Sequence, residues 1–305
     1  MSRPILVGLA LREDDAAPVA LACSLADISG APLALATVFP YDVSTPIATV
    51  EYAKAMQDEA RTRVEAVARS LRADHEVATH VCQGSRPGAL HDLAGKLEAR
   101  AIVVGSSHHG TLGRALAGDV AAGLLHGARC PVAVTPRGYE ARAGGLGVIG
   151  VAFQDTAEGR EAAETAIGLA GRTGAAVHLV TVVEPLEYTG AYAVPAWVAP
   201  GAPDRDTLER HAKEMVEQAI AEFAHGVTVT GEVRYGPVVG TLATASERMD
   251  MLVCGSRGYG ALHSALAGGV SRGLARASTC PLLLVPRRVA SDAALLGDGR
   301  GAMSA

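Results

Sequence analysis

The sequence predicts an α/β chain of two tandem domains, each a five-stranded parallel sheet flanked by helices. Three observations carry this expectation. Short apolar runs, suited to strands buried on both faces, alternate with longer stretches of helical period. The segment 249–286 (MDMLVCGSRGYGALHSALAGGVSRGLARASTCPLLLVP) repeats the segment 99–136 (ARAIVVGSSHHGTLGRALAGDVAAGLLHGARCPVAVTP) at a constant offset of 150 residues, and 14 of 32 positions match from Gly105 to Pro136. Such self-similarity marks an internal duplication. Finally, 49% of the 305 residues are hydrophobic while only 4% are aromatic. Cores built on Val, Leu, Ile and Ala are the habit of parallel sheets. The length suits two domains of about 150 residues, each large enough for its own core.

Taken in order, Ile5–Leu9 reads as a first buried strand. Ala17–Ser29 has a helical pattern, with Leu21, Leu25 and Ile28 on one face and Gly30 as its stop. Leu33–Val38 is a second strand, followed by a Pro-bounded loop, Pro40–Pro46. Val50–Leu71 makes a long amphipathic helix rich in Glu, Arg and Ala. Glu76–Cys82 alternates in polarity and suits a strand near an edge. A turn at Gly84 and Pro87 leads to a helix over Ala89–Glu98, and Ala101–Val104 is strand four. A Gly loop, a helix over Val120–Ala128 and strand five at Val132–Thr135 complete the first copy. Residues 137–146, Gly- and Arg-rich, read as a linker.

The second copy repeats the order. Its strands are Val148–Phe153, Val177–Val183, Val227–Val233, Met251–Cys254 and Leu282–Val285. Its helices fall at about Glu158–Gly171, Thr207–Phe223, Val238–Arg248 and Val270–Ala277, with a turn at Gly236-Pro237 and a stop at Pro281. The implied domains are 1–138 and 146–289, with 290–305 as a disordered tail of small and polar residues.

Charge and cysteines narrow the function classes. A net charge of −5 without a basic cluster gives no electrostatic case for a nucleic-acid partner. No apolar run is long enough for a membrane helix, and the N-terminus reads as a strand, not a signal peptide. Cys23, Cys82, Cys130, Cys254 and Cys280 form no CxxC pair and sit mostly in apolar segments, which suits reduced thiols in a cytoplasmic protein. No Walker A lysine motif and no G-x-G-x-x-G after strand one are present, which argues against P-loop ATPases and NAD-linked dehydrogenases. Ser106 and Ser256 lack a spaced His/Asp set and do not read as nucleophiles. His108-His109 lacks a third ligand, so a solvated loop outweighs a metal site.

One constellation suggests a ligand. Met251–Cys254 ends at Gly255, and Gly258, Gly260, Gly268 and Gly269 follow before the helix at Val270. Glycines let backbone N–H groups approach an anion closely, and a helix N-terminus adds unpaired donors and partial positive charge. Arg257 and Arg272 stand nearby as further phosphate contacts, with plain surface charge as the alternative. In a doubly wound sheet this place lies beyond the strand C-termini, between strands one and four, where the strand order reverses.

Strand four ending in Gly-Ser-x-Gly, nine residues, Gly-x-Val-Ser and a helix running into Cys-Pro and an apolar strand resembles the universal stress protein family. Both copies match its order of elements, so the resemblance covers nearly the whole chain, as in the tandem-domain type. It implies Rossmann-like domains of the adenine nucleotide alpha hydrolase-like kind, and an ATP-binding stress-response or regulatory protein with the nucleotide as a conformational signal. Its nucleotide-binding members carry G-2x-G-9x-G-(S/T). Gly255, Gly258 and Gly268 fit the three glycines, whereas Gly269 replaces Ser or Thr, and Val270-Ser271 continue the pattern.

Two departures follow. The Asp that binders of the family place near the end of strand one is matched by Ala10 and Ala152, with Asp155 three residues later. Base recognition is then expected from backbone groups around Val182 and Val183. In the first copy His108 replaces the second glycine, Asp119 the Ser/Thr and Ala121 the later Ser. Asp119 satisfies its own helix end and repels a triphosphate. The expectation is ATP, with or without Mg²⁺, bound in the second domain through Gly255, Arg257, Gly258, Gly268, Gly269, Val270, Ser271, Ala152, Val182 and Val183. No catalytic residues or metal ligands are assigned. The protein is not expected to be an enzyme beyond slow ATP hydrolysis. A nucleotide-independent interaction or scaffold module is the alternative. The loop Pro185–Pro203, with Trp197, Tyr188 and Tyr192, reads as a lid over the adenine side or as a partner surface. By the same resemblance Val132–Thr135 and Leu282–Val285 pair within one chain as a pseudo-dimer, two such chains form a homodimer, and a regulatory protein partner is implied.

Overall fold

The computed structural model describes residues 3–10, 15–39, 50–106, 119–124, 128–184, 205–256 and 269–286. These fall into two compact units, one within Met1–Gly145 and the other within Leu146–Arg257 and Gly268–Arg287.

In the first unit the elements run β1 (Ile5–Leu9), α1 (Ala16–Ser29), β2 (Leu33–Phe39), α2 (Val50–Leu71), β3 (Val77–Gln83), α3 (Arg86–Lys96), β4 (Ala101–Gly105), α4 (Asp119–Leu124) and β5 (Val132–Thr135). The strands lie in the order β3-β2-β1-β4-β5, and every pairing is parallel. The order reverses between β1 and β4, as expected of right-handed crossovers in a doubly wound sheet. β1, β2, β4 and β5 are buried almost throughout, as their unbroken apolar runs require. β3, the outermost strand of this unit, is only half-buried, which matches its alternating polarity.

α1 buries Ala17, Pro18, Leu21, Ala22, Leu25, Ala26 and Ser29. Ile28 was expected on that stripe but is half-exposed; the stripe runs through Ala26 and Ser29 instead. Gly30 ends the helix at φ 63°, where its N–H donates to the Ala26 carbonyl. Glycine adopts that left-handed turn without a Cβ penalty. Pro87 does not sit in a turn. α3 starts at Arg86, so the ring falls in the first helical turn, where a missing N–H costs no hydrogen bond. The helix stops at Lys96, short of the expected Glu98, because Glu98 takes a positive φ of 49°. Of the helix expected over Val120–Ala128, residues 119–124 are helical, Ala128 is not, and 125–127 lie outside the described residues.

The second unit runs β6 (Val148–Ala152), α5 (Ala157–Thr173), β7 (Ala176–Val183), α6 (Arg205–Phe223), β8 (Val229–Tyr235), α7 (Val238–Ser246), β9 (Met251–Ser256), α8 (Gly269–Ala277) and β10 (Leu282–Pro286). Its strand order is β8-β7-β6-β9-β10, again all parallel. β8 starts two residues later than Val227, where Val229 joins the register opposite Val177. Gly174 closes α5 at φ 74° as Gly30 closes α1. Each unit has an apolar core; Ile5, Leu6, Leu35 and Ile102 in the first, and Ile149, Leu169, Leu179 and Phe153 in the second, are almost fully buried. Burying one such side chain contributes about 1.5–3 kcal/mol.

The two copies use one close approach twice. A Cβ on Gly123 of α4 would stand 2.5 Å from Cγ of Pro87 in α3, and a Cβ on Gly273 of α8 would stand 2.7 Å from Cγ2 of Val239 in α7. Both helix pairs pack at a distance that only glycine permits.

Candidate functional site

The parallel register brings the C-termini of β6, β7 and β9 to one edge of the second sheet. Ala152, the last residue of β6, pairs with Cys254 of β9 and with Val180 of β7. Gly255 follows on β9, and Val182 and Val183 end β7. This is the switch point, and the sheet carries four of the expected site residues to it: Ala152, Val182, Val183 and Gly255. The described part of the site is completed by Gly269, Val270 and Ser271, the first three residues of α8. Arg257, Gly258 and Gly268 lie outside the described residues, as do His108, His109, Trp197, the loop 185–203 and the tail 290–305.

Glycine at 255 answers to packing. A Cβ there would lie 2.4 Å from the Glu158 carbonyl oxygen, so the first turn of α5 rests directly on the end of β9. That turn is held by Thr156, whose hydroxyl accepts from the Gly159 N–H at 3.1 Å. Gly159 is itself required, since a Cβ would meet the Gln154 carbonyl oxygen at 2.0 Å. Below it, Phe153 is buried and meets Phe223 edge-on at 6.4 Å between ring centroids.

The backbone at the end of β7 has two orientations. Val183 turns its carbonyl to β8, where it accepts from the Gly236 N–H at 3.3 Å. Val180 turns its carbonyl the other way and accepts from the Phe153 N–H at 2.9 Å. Strand residues alternate sides, so Val182 aims its N–H and carbonyl past the end of β6, towards the switch point. Thr181 adds a hydroxyl that donates to the Phe153 carbonyl at 3.0 Å.

At α8, Gly269 and Val270 are exposed, and a Cβ on Gly269 would meet nothing within 4 Å. Ser271 differs: it is buried, and on β9 the Cys254 thiol donates to the Gly255 carbonyl at 3.5 Å. Burial pushes that thiol up to about 11, with Ser271 opposing the shift. Asp155, the carboxylate nearest the end of β6, is taken up by Arg160 at 2.6 Å, and Arg160 also holds Glu222 of α6 at 2.7 Å.

The register corrects one equivalence between the copies. Gly8 pairs with Val104 as Ala152 pairs with Cys254, and Val104 and Cys254 are counterparts across the 150-residue offset. Ala152 therefore matches Gly8, and Ala10 matches Gln154. In the first unit a carboxylate does stand by the end of β1: Asp15 Oδ1 accepts from the Ala10 N–H at 2.9 Å. The glycine at 105 is not forced there, since a Cβ would make ordinary contact with Pro18 at 3.7 Å. The counterparts of Cys254 and Ser271 are Val104 and Ala121, both buried and apolar.

Sequence reasoning passed over Thr156 and Gly159. A Thr just before a helical run is a capping signal that the sequence displays. Among the described residues no group of three or more His, Cys, Asp or Glu is placed to hold a metal, and no helix is long and apolar enough to cross a membrane.

Comparison with known proteins agrees with this architecture. The model of the universal stress protein family matches residues 1–136 and again 146–286. A universal stress protein of Mycobacterium tuberculosis strain H37Rv is 38% identical over 85 residues, 26% of this chain. The chain spans 27% of the length of that relative and of three others like it. A second universal stress protein of the same strain is 27% identical over 216 residues, covering 68% of this chain and 71% of its own length. The crystal structure of a universal stress protein from Archaeoglobus fulgidus aligns with a TM-score of 0.69 at 19% identity, covering 94% of this chain and all of that one, a likeness of fold. Matched by the family model in both halves, with two parallel doubly wound units in tandem, the chain belongs to the universal stress protein family.

Proposed function

We propose that the protein binds an adenine nucleotide, ATP by preference and with Mg²⁺ where available, in its second domain (146–289), and that the bound nucleotide acts as a conformational signal in a stress response. The observation that carries this reading is the edge at the switch point. The backbone of Val182 faces it from β7, and the exposed N-terminus of α8 offers Gly269 and Val270, whose amides suit phosphate. Ala152 leaves the end of β6 without a side chain to block a base, and Gly255, Arg257, Gly258 and Gly268 complete the contacts. The first domain (1–138) is the degenerate partner: Asp119 opens α4 and Asp15 stands at the end of β1, so negative charge meets an incoming phosphate there. No residue set for efficient hydrolysis is assigned. The protein acts in the cytoplasm, as a homodimer, through a regulatory protein partner.

A second reading has its own support. Because Gly255 is required by the first turn of α5 whether or not a ligand binds, the glycine pattern also suits a nucleotide-independent interaction module. Denaturing extraction with mass spectrometry, followed by calorimetric titration with ATP, separates the two. One nucleotide per chain, lost in Gly268→Val, is the expected result. Two per chain would remove the asymmetry between domains, and no bound nucleotide with no heat on adding ATP and Mg²⁺ would leave the interaction module.

A further inference from the structure

A carboxylate at the end of β6 stands against the nucleotide reading unless something offsets it. The chain leaving β6 runs Phe153-Gln154-Asp155-Thr156, and Asp155 is the one charged side chain in it. The turn is too well tied to swing that charge aside. The Phe153 N–H donates to the Val180 carbonyl, the Phe153 carbonyl accepts from the Thr181 hydroxyl, and the Thr156 N–H donates to the Gln154 carbonyl at 2.8 Å. An acid fixed at an edge that receives phosphates repels them.

Arg160, in the first turn of α5, meets this acid. Its Nε donates to Asp155 Oδ1 at 2.6 Å and its Nη1 to Glu222 Oε1, near the end of α6, at 2.7 Å. The planar guanidinium presents donors on more than one side, so it is held between the two carboxylates. The three side chains are between 39% and 52% exposed, and exposed ion pairs add little stability. The same two places are also joined without them. Phe153, two residues before Asp155, and Phe223, one after Glu222, meet edge-on. The task left to Arg160 is its charge.

The duplication supplies a contrast. The first unit also has a carboxylate here, Asp15, bonded to the Ala10 N–H. The helix that follows it, α1, holds no Arg or Lys, and Val19 occupies the place of Arg160, three residues in from the helix start.

We propose that Arg160 is a positioning residue that sets the charge preference of the nucleotide site: it pairs with Asp155 and offsets the acid at the end of β6, so that the second domain accepts a phosphorylated nucleoside. This rests on the nucleotide reading above.

Arg160→Gln, Asp155→Asn and the double variant test the proposal, with Arg160→Lys as the charge-retaining control. Calorimetry reads the affinity for ATP and for adenosine, at low salt and at about 0.5 M salt, where charges are screened within a few ångströms. Arg160→Gln is expected to weaken ATP about three-fold at low salt, the scale of one screened carboxylate acting on a triphosphate. Adenosine binding should not change, and the loss should fade at high salt. The double variant and Arg160→Lys should bind ATP like wild type, and Asp155→Asn no more weakly. A merely structural role predicts otherwise: Arg160→Gln would weaken ATP and adenosine alike, at either salt, without rescue by Asp155→Asn, and that result would overturn the proposal. A loss confined to ATP that persists in the double variant would overturn it too, making Arg160 itself a phosphate contact. No heat from wild type with ATP would overturn the nucleotide reading and this proposal with it, whereas binding by wild type with an unrescued variant would overturn this proposal alone.

Discussion

Replacing Gly269 by Ser tests the helix end directly. The family pattern has Ser or Thr at this position, and the structure leaves the space for it: a Cβ would meet nothing within 4 Å, and the residue is exposed. Without ligand, exchanging Gly for Ser in a helix gains about 0.5 kcal/mol of propensity, a rise of about 1–2 °C in Tm for a domain of this size. With a nucleotide at the helix end, the new hydroxyl donates to a charged oxygen. Such a bond is worth about 1.5 kcal/mol, roughly a tenfold fall in Kd. Thermal unfolding and ATP calorimetry on the same preparations separate the two effects. A higher Tm with unchanged affinity would refute the assignment of phosphates to α8. A lower Tm would refute the open space at 269.

Other outcomes follow from packing and charge. Gly273→Ala brings a Cβ to 2.7 and 2.9 Å from the two methyls of Val239, a stiff β-branched side chain; after the helix-propensity gain we expect a net loss of about 1–2 kcal/mol in denaturant unfolding. Asp250 accepts from the Gly147 and Val148 amides, both at 2.8 Å, so Asp250→Ala should cost the second unit about 2 kcal/mol, read as a lower unfolding midpoint. Glu232 is half-buried, which raises its pKa, but hydrogen bonds from Arg234 and His178 outweigh burial and hold it below its ordinary value of 4.5. Its contribution is present above that value and is lost as pH falls below it, so Glu232→Gln should flatten the fall of Tm on acidification below about pH 4.5. Burial pushes Cys130 up to about 12 and Cys254 and Cys280 up to about 11, so these three thiols should react with Ellman's reagent only after denaturation, with half-buried Cys23 and Cys82 reacting first.

Most strands were legible as short apolar runs between turn residues, β3 and β8 by their alternating polarity instead, and β1 and β5 were found to the residue. The errors fell where local pattern and tertiary packing part. Pro87 looks like a turn until α3 is seen to begin before it. Val227 and Val229 carry the same alternating signal, and only pairing with Val177 shows where β8 starts. The late halves of the two copies share an offset of 150 residues, but the β1 and β6 registers imply 144, so Ala152 corresponds to Gly8, two residues before Ala10. The burial of Ser271 was hidden for another reason. Which way a side chain in the first turn of a helix faces depends on rotation over the sheet, and no linear pattern encodes that. The engagement of Asp155 required Glu222, 67 residues away in sequence, to hold Arg160 between them.

The anchor at the base of β9 bears on whether the halves can be exchanged. Asp250 ties the entry of β6 by accepting from two amides. Its counterpart at the base of β4, Arg100, does the same task with the opposite chemistry: its guanidinium donates to the Arg3 carbonyl at 3.2 Å, while Arg3 donates to the Glu98 carbonyl at 3.0 Å. One tether needs exposed N–H groups and the other needs carbonyls, so the polarity of the joint is written into the backbone that each side chain meets. A chimera carrying Arg at 250 would set a donor against donors, and Asp at 100 would set an acceptor against an acceptor. A gene conversion between the halves that crossed this joint would therefore cost one of the two tethers its partner groups.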